Sequence, residues 1–226
     1  MGVMRVIIFD LDGTLIDSAP DICSAVNRML AGQNLAPLSL MIVRSFIGNG
    51  IPRLVERVMA EAKIVFSKEK HAALTKEFTK DYFANPAELT RLYPDVRKTL
   101  EILQNQGFSM GICTNKAYGV TSRVLRQLQL EQYFTSVIGG DTLKVNKPDP
   151  AMLLASIREL GGGEAIFVGD SEVDEETAGA AKVDFILFEG GYLKGSPEAV
   201  KSVARFGQFS QLPSLVKKIA RQGLSN

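Results

Sequence analysis

Val6-Ile7-Ile8-Phe9-Asp10-Leu11-Asp12-Gly13-Thr14 sets an unbroken apolar run against two carboxylates one residue apart. A continuous run rich in β-branched residues suits a strand buried on both faces of a parallel sheet, rather than one with a wet face. Such a strand ordinarily ends in a turn residue. Here Asp10 and Asp12 place two negative charges at its tip, and residues two apart on a strand point to the same side.

The same short, continuous pattern recurs at residues 110–114, 136–139, 165–168 and 185–188. Helical spacing lies between: Val96, Leu100 and Leu103 within 95–107, stopped by Gly107, and Leu153, Leu154, Ile157 and Leu160 within 150–160. Strands alternating with helices predict right-handed βαβ crossovers and a doubly wound, Rossmann-like α/β fold. Residues 19–85 break the rhythm. They carry helical patterns at 22–30, 54–59 and 71–83, no strand signal, and punctuation at Pro37, Gly48, Asn49, Gly50 and Pro52. The expectation is a core domain of residues 1–17 and 86–226, with an inserted helical cap domain at 18–85. A last amphipathic helix is expected at 212–222, with Lys217, Lys218 and Arg221 on a solvated face near its C-terminus.

Composition narrows the function classes. Among 226 residues, 26 are basic and 25 acidic, so net charge points to neither nucleic acid nor an anionic membrane as partner. No stretch nears the roughly 18 apolar residues of a membrane span. The first apolar run stops at Asp10, too early for a signal peptide. Met1-Gly2 lacks the Ser or Thr that a myristoylation start needs at the place of Val6. Cys23 and Cys113 form no metal or disulfide spacing and fit buried thiols in a reducing compartment, so a cytoplasmic location is expected.

Ligands of doubly wound sheets bind outside the carboxyl ends of the strands. Those ends present Asp10 and Asp12, then Thr114 and Asn115, then Lys147 in a turn, then Asp170 with Asp174 four residues on. Uncompensated, the carboxylates would repel and take up protons. A hard cation resolves this: Mg²⁺ uses one or two protein carboxylates and shares its shell with water and substrate phosphate. Lys147 adds a point charge, and Thr114 and Asn115 add neutral donors, which together describe a pocket for a phosphate monoester. One carboxylate can attack phosphorus and its partner can move the protons. Competing chemistries find less support. Neither cysteine has arginine six residues on, where Met29 and Gly119 stand, and His71 is the only histidine. Gly48-Asn49-Gly50 with Arg53 follows a helical pattern and so fails as a dinucleotide loop. It reads either as a helix-breaking turn or as a cap loop closing over substrate.

FDLDGTLIDS (9–18), ICTNK (112–116), NKPDP (146–150) and VGDSEVD (168–174) resemble, in order and spacing, the four motifs of the haloacid dehalogenase superfamily. The resemblance implies Asp10 as nucleophile, Asp12 as acid and base, and Thr114 and Lys147 as phosphate-binding residues. It also implies Asp170 as a Mg²⁺ ligand beside Asp10 and the Asp12 main-chain carbonyl, with Asp174 a second acidic position acting on the metal directly or through water. The helical insert resembles the superfamily's small cap. SFIGNGIPRLVERVM (45–59) and FTSVIGGDTLKVNKPDP (134–150) resemble phosphoglycolate phosphatases, which implies 2-phosphoglycolate as substrate, with Arg44 or Arg53 expected to receive its carboxylate. The alternatives are a phosphosugar phosphatase or mutase, and a non-catalytic phosphoprotein-binding module. Relatives often carry glycine at the place of Lys182.

Overall fold

A computed structural model describes residues 5–222. Met1-Gly2, residues 3–4 and 223–226 of the expected core segments, and the Arg221 side chain lie outside the described residues. The chain runs β1 (Arg5–Phe9), β2 (Ile16–Asp17), α1 (Ala19–Gly32), α2 (Leu40–Phe46), α3 (Ile51–Glu61), α4 (Lys68–Ala84), β3 (Arg91–Leu92), α5 (Val96–Asn105) and β4 (Ser109–Cys113). It continues through α6 (Tyr118–Gln127), β5 (Ser136–Ile138), α7 (Ala151–Glu159), β6 (Glu164–Gly169), α8 (Glu172–Ala181), β7 (Asp184–Phe188), β8 (Ala204–Phe206) and α9 (Leu212–Gln222).

Six parallel strands form one sheet in the order β5-β4-β1-β6-β7-β8, the doubly wound arrangement that the alternation predicts. β1 is central, and its four apolar residues alternate between two cores: Ile7 and Phe9 on one side, Val6 and Ile8 on the other. That is why the run is continuous in sequence. α5 buries Val96, Leu100 and Leu103 as spaced. Around α7, Leu153 and Leu160 are buried as spaced, but Met152, Ala155 and Ser156 share that face and Leu154 and Ile157 are left half-buried. Small residues explain the difference: Gly111 on β4 faces Ser156, where a Cβ would lie 2.6 Å from the hydroxyl, so this helix lies close against the sheet.

Between β2 and β3 the chain forms four helices and no strand. α1 packs on α2 and α4, and α3 packs on α2 and α4. The two passages into and out of this segment run side by side, Ile16 paired with Leu92 and Asp17 with Arg91. Asp21, buried in the first turn of α1, accepts from Leu89 N, Thr90 N and Thr90 Oγ1 and locks the crossing. Among the described residues no helix is long and apolar enough to cross a membrane.

Candidate active site

The carboxyl ends of the three central strands converge. β1 delivers Asp10 and Asp12, β4 on one side delivers Thr114 to Lys116, and β6 on the other delivers Asp170. These strands flank the point where chain order reverses direction, the place where such sheets open a crevice. Lys147 reaches in from the loop between β5 and α7, held there by Asn115. The Asn115 side chain accepts from Lys147 N and donates to Lys147 O at 3.1 Å and Gly48 O at 3.0 Å. Both amide hydrogens are thus engaged, so Asn115 braces the Lys147 loop and the α2–α3 loop rather than presenting the free phosphate donor expected from sequence.

Asp10, Asp170 and Asp174 offer oxygens all within 4.8 Å of one another, the one cluster of three or more candidate metal-ligating side chains among the described residues. The Asp12 carboxylate is outside it and faces the cavity instead. Asp170 Oδ1 accepts from Thr14 Oγ1 at 2.7 Å and Oδ2 from Tyr192 N at 2.6 Å. Gly13 and Gly191 wrap this carboxylate: a Cβ on either would come within 2.4 Å of Asp170 Oδ2. The close approach requires glycine at both places.

Asp174 is fully buried at the start of α8. Its Oδ2 accepts from Asp170 N, Ser171 N and Ser171 Oγ, and its Oδ1 takes Lys147 Nζ at 2.6 Å. The structure therefore ties Asp174 to the lysine and the helix cap. Lys147 Nζ also lies 2.9 Å from Asp10 Oδ1, so one ammonium bridges the two carboxylates. Burial, with Asp174 adding to it, pushes the Asp10 carboxyl up to about 6 despite the lysine. Burial and its two acidic neighbours raise Asp170 well above the usual range. Burial works against the Lys147 ammonium, but Asp10 and Asp174 outweigh it and hold the cation firmly. Cys113 behaves as the packed thiol expected, pushed by burial up to about 12.

Sequence reasoning missed Lys116 as a member of the site. Its Nζ, buried, lies 3.0 Å from both Asp12 oxygens and 2.5 Å from the Tyr82 hydroxyl of α4. The signal was legible, since Lys116 closes the quoted ICTNK motif. For Tyr82 there was none: with Leu74 and Phe78 it reads as a helix core face. Ser18 Oγ holds Asp12 Oδ1 from the far side, at 2.5 Å. Gly48 and Gly50 line the cavity above Asp10 and Asp12, with φ of +115° and +79°. Asn49 instead accepts from Arg57. Arg53 pairs with Glu56 on the surface, and Arg44 pairs with Asp17 and lies over the Tyr192 ring. Neither arginine lines the cavity.

Comparison with known proteins agrees with this geometry. Residues 7–188 match the family described as haloacid dehalogenase-like hydrolase. The chain is 40% identical over 213 residues to a phosphoglycolate phosphatase of Cereibacter sphaeroides, covering 94% of this chain and 98% of that one. It is 41% identical over 203 residues to a phosphoglycolate phosphatase of Pseudomonas fluorescens, covering 88% and 74% respectively. Among solved structures, a predicted phosphoglycolate phosphatase from Haemophilus somnus superposes with a TM-score of 0.87 at 30% identity, over 94% of this chain and 97% of that one. On fold, motif and similarity together, the chain belongs to the haloacid dehalogenase-like hydrolases.

Proposed function

We propose that this phosphoric monoester hydrolase converts 2-phosphoglycolate to glycolate and phosphate, through an aspartyl-phosphate on Asp10 and with Mg²⁺ as cofactor. The observation that carries the reading is the buried Asp10 carboxylate, 2.9 Å from the Lys147 ammonium, clustered with Asp170 and Asp174 and facing the cavity that Asp12 lines. Three buried carboxylates within 4.8 Å of one another, with one ammonium among them, fit a divalent cation, which Asp10, Asp170 and the Asp12 main-chain carbonyl would hold. When bound, the cation supplies charge neutralisation for the carboxylates and the phosphate.

Asp10 attacks phosphorus, the ester bond to the leaving oxygen breaks, and Asp12 gives that oxygen its proton. Asp12 then removes a proton from water, whose oxygen takes phosphorus and frees Asp10. Thr114 and Lys147 hold the phosphate oxygens, and Asp174 orients Lys147. Residues 18–85 act as a cap domain over the core formed by 1–17 and 86–226. Opening at the paired crossing of β2 and β3 admits substrate, and closure excludes water. The cavity over Asp10 and Asp12 is small, about 50 Å³, which supports a two-carbon ester over a phosphosugar.

The test is steady-state phosphate release from 2-phosphoglycolate with Mg²⁺ and with EDTA, for the wild type and Asp10→Asn. Turnover is expected only for the wild type with Mg²⁺, and the variant should lose about 10⁴-fold or more in kcat, as removal of a nucleophile generally costs. Turnover by Asp10→Asn at a comparable rate would reject Asp10 as nucleophile. Hydrolysis of an aryl phosphate but not of 2-phosphoglycolate would keep the chemistry and discard the substrate.

A further inference from the structure

Lys116 is the one cation among the residues lining the cavity that contains Asp10, Asp12 and Thr114. It is buried, so its charge is not there for solubility. Its ammonium spans two parts of the fold, touching Asp12 of the core at 3.0 Å and the Tyr82 hydroxyl of α4 at 2.5 Å. Asp12 already has a second anchor in Ser18, so orienting Asp12 does not account for the contact with Tyr82. The Tyr82 hydroxyl is itself buried and accepts from Lys116, and among the described residues its own hydrogen meets no acceptor. Lys116 and Tyr82 thus give the cavity a fixed positive charge beside an unused donor. Ile22, Ile47, Ile51, Leu54 and Phe78 supply the apolar part of the wall.

An anion that accepts from both groups must be small and lie next to the Asp12 carboxyl. In a phosphoester of a 2-hydroxy acid, three bonds separate the ester oxygen from a carboxylate oxygen. If Asp12 protonates the ester oxygen, the carboxylate falls within reach of the ammonium that touches Asp12. Arg44 and Arg53, the sequence candidates for this contact, are both paired outside the cavity.

We propose that Lys116 and Tyr82 form a carboxylate-binding subsite, which makes the enzyme select phosphate esters bearing a carboxylate on the carbon that carries the phosphate. The inference rests on the assignment of Asp10 and Asp12 as the reacting pair. Lys116 exchanges one of its Asp12 contacts for the substrate carboxylate, and Tyr82 adds its free hydrogen.

The experiment compares kcat/KM for 2-phosphoglycolate with kcat/KM for ethyl phosphate, which has the same length without the carboxylate. Both are measured on the same preparations of the wild type, Lys116→Gln, Lys116→Arg and Tyr82→Phe, with 4-nitrophenyl phosphate as a general phosphatase substrate. The ratio of the two constants does not depend on how much of a preparation is folded. The wild type should prefer the acid by about 100-fold or more, the scale of charged hydrogen bonds. Lys116→Gln should bring that preference below about 10-fold, Lys116→Arg should restore part of it, and Tyr82→Phe should lower it several-fold. Should Lys116→Gln prove insoluble, Tyr82→Phe decides alone. An equal loss on both substrates, with the preference intact, would make Lys116 an Asp12-positioning residue and overturn the subsite. A wild type that hydrolyses ethyl and 4-nitrophenyl phosphate without favouring 2-phosphoglycolate would overturn the subsite while leaving the phosphatase reading in place. Failure on all three substrates with Mg²⁺ would remove the reacting pair and the subsite with it.

Discussion

Lys147 is buried with one ammonium between two carboxylates, Asp10 at 2.9 Å and Asp174 at 2.6 Å. A buried ion pair adds little over apolar packing, but removing one partner strands the other in a medium that cannot solvate it. Replacing Lys147 by methionine keeps much of the volume and deletes the charge. Urea unfolding at pH 7.5 should show a loss of about 3–5 kcal/mol, with part of it regained at pH 5 as the stranded Asp10 carboxyl takes up a proton. An unchanged urea midpoint would mean that the lysine contributes to function only. The residue types at this site were legible because a phosphate dianion and a hard cation demand few alternatives to carboxylate, hydroxyl and amine. Their division of labour was not. Asp174 and Asn115 stand in motifs that suggest direct contact with metal or phosphate, yet their hydrogen bonds go to Lys147 and its loop.

At the scale of elements, α8 shows how local chemistry and the site share residues. Ser171 caps it, Asp174 lies in its first turn, and Glu172 reaches back to accept from Lys194 N and Gly195 N. The helix stops at Lys182, which adopts the left-handed conformation with φ 55° and ψ 44° in place of the expected glycine. Any side chain there costs about 1 kcal/mol against glycine. Lys182→Gly should therefore raise stability by about 0.5–1 kcal/mol in urea or thermal melts, with kcat/KM unchanged, because the residue is exposed at the opposite end of α8 from Asp174. A destabilised variant would indicate that the lysine makes a compensating contact. The long parallel strands were readable from their apolar runs. β2, β3 and β8 were not, because each is two or three residues interrupted by a charged one and shows no apolar run; pairing partners brought from elsewhere in the chain create them. The α7 face was legible only in part: Leu153 and Leu160 are buried as spaced, while closeness to Gly111 brings Ser156 into the buried face as well.

For the molecule as a whole, folding gathers Asp10, Asp170 and Asp174 into one buried cluster that carries more negative charge than Lys147 alone offsets. The Asp10 carboxyl has its native pKa raised from 3.8 to about 6. A group raised in the fold favours the fold while protonated, so its contribution is full below about pH 4 and is lost as pH rises through about 6. Metal-free protein should lose stability across that window. A divalent cation competes with those protons, so Mg²⁺ should stabilise more at pH 7.5 than at pH 5. At a hundred times its Kd, Mg²⁺ is worth about 2.7 kcal/mol, or about 5–10 °C in Tm for a chain of this size, and the gain should shrink several-fold at pH 5. Thermal melts with and without Mg²⁺ at the two pH values check this, and equal shifts at both would show that the raised carboxyls do not hold the ion.

By itself the sequence determined the α/β class, the helical segment after β1, and the strand ends that carry Asp10, Asp12, Thr114 and Asp170. Each of these follows from periodicity or from residue type at a strand terminus, which are local properties. Only the tertiary structure decided that Lys116 and Tyr82, 34 positions apart, meet over Asp12. It alone decided that Arg44 and Arg53 turn away to Asp17 and Glu56. The physical reason is that a lysine or arginine has several carboxylates within reach in sequence patterns. Which one it meets is settled by how the helical segment docks on the sheet and which charges that docking buries.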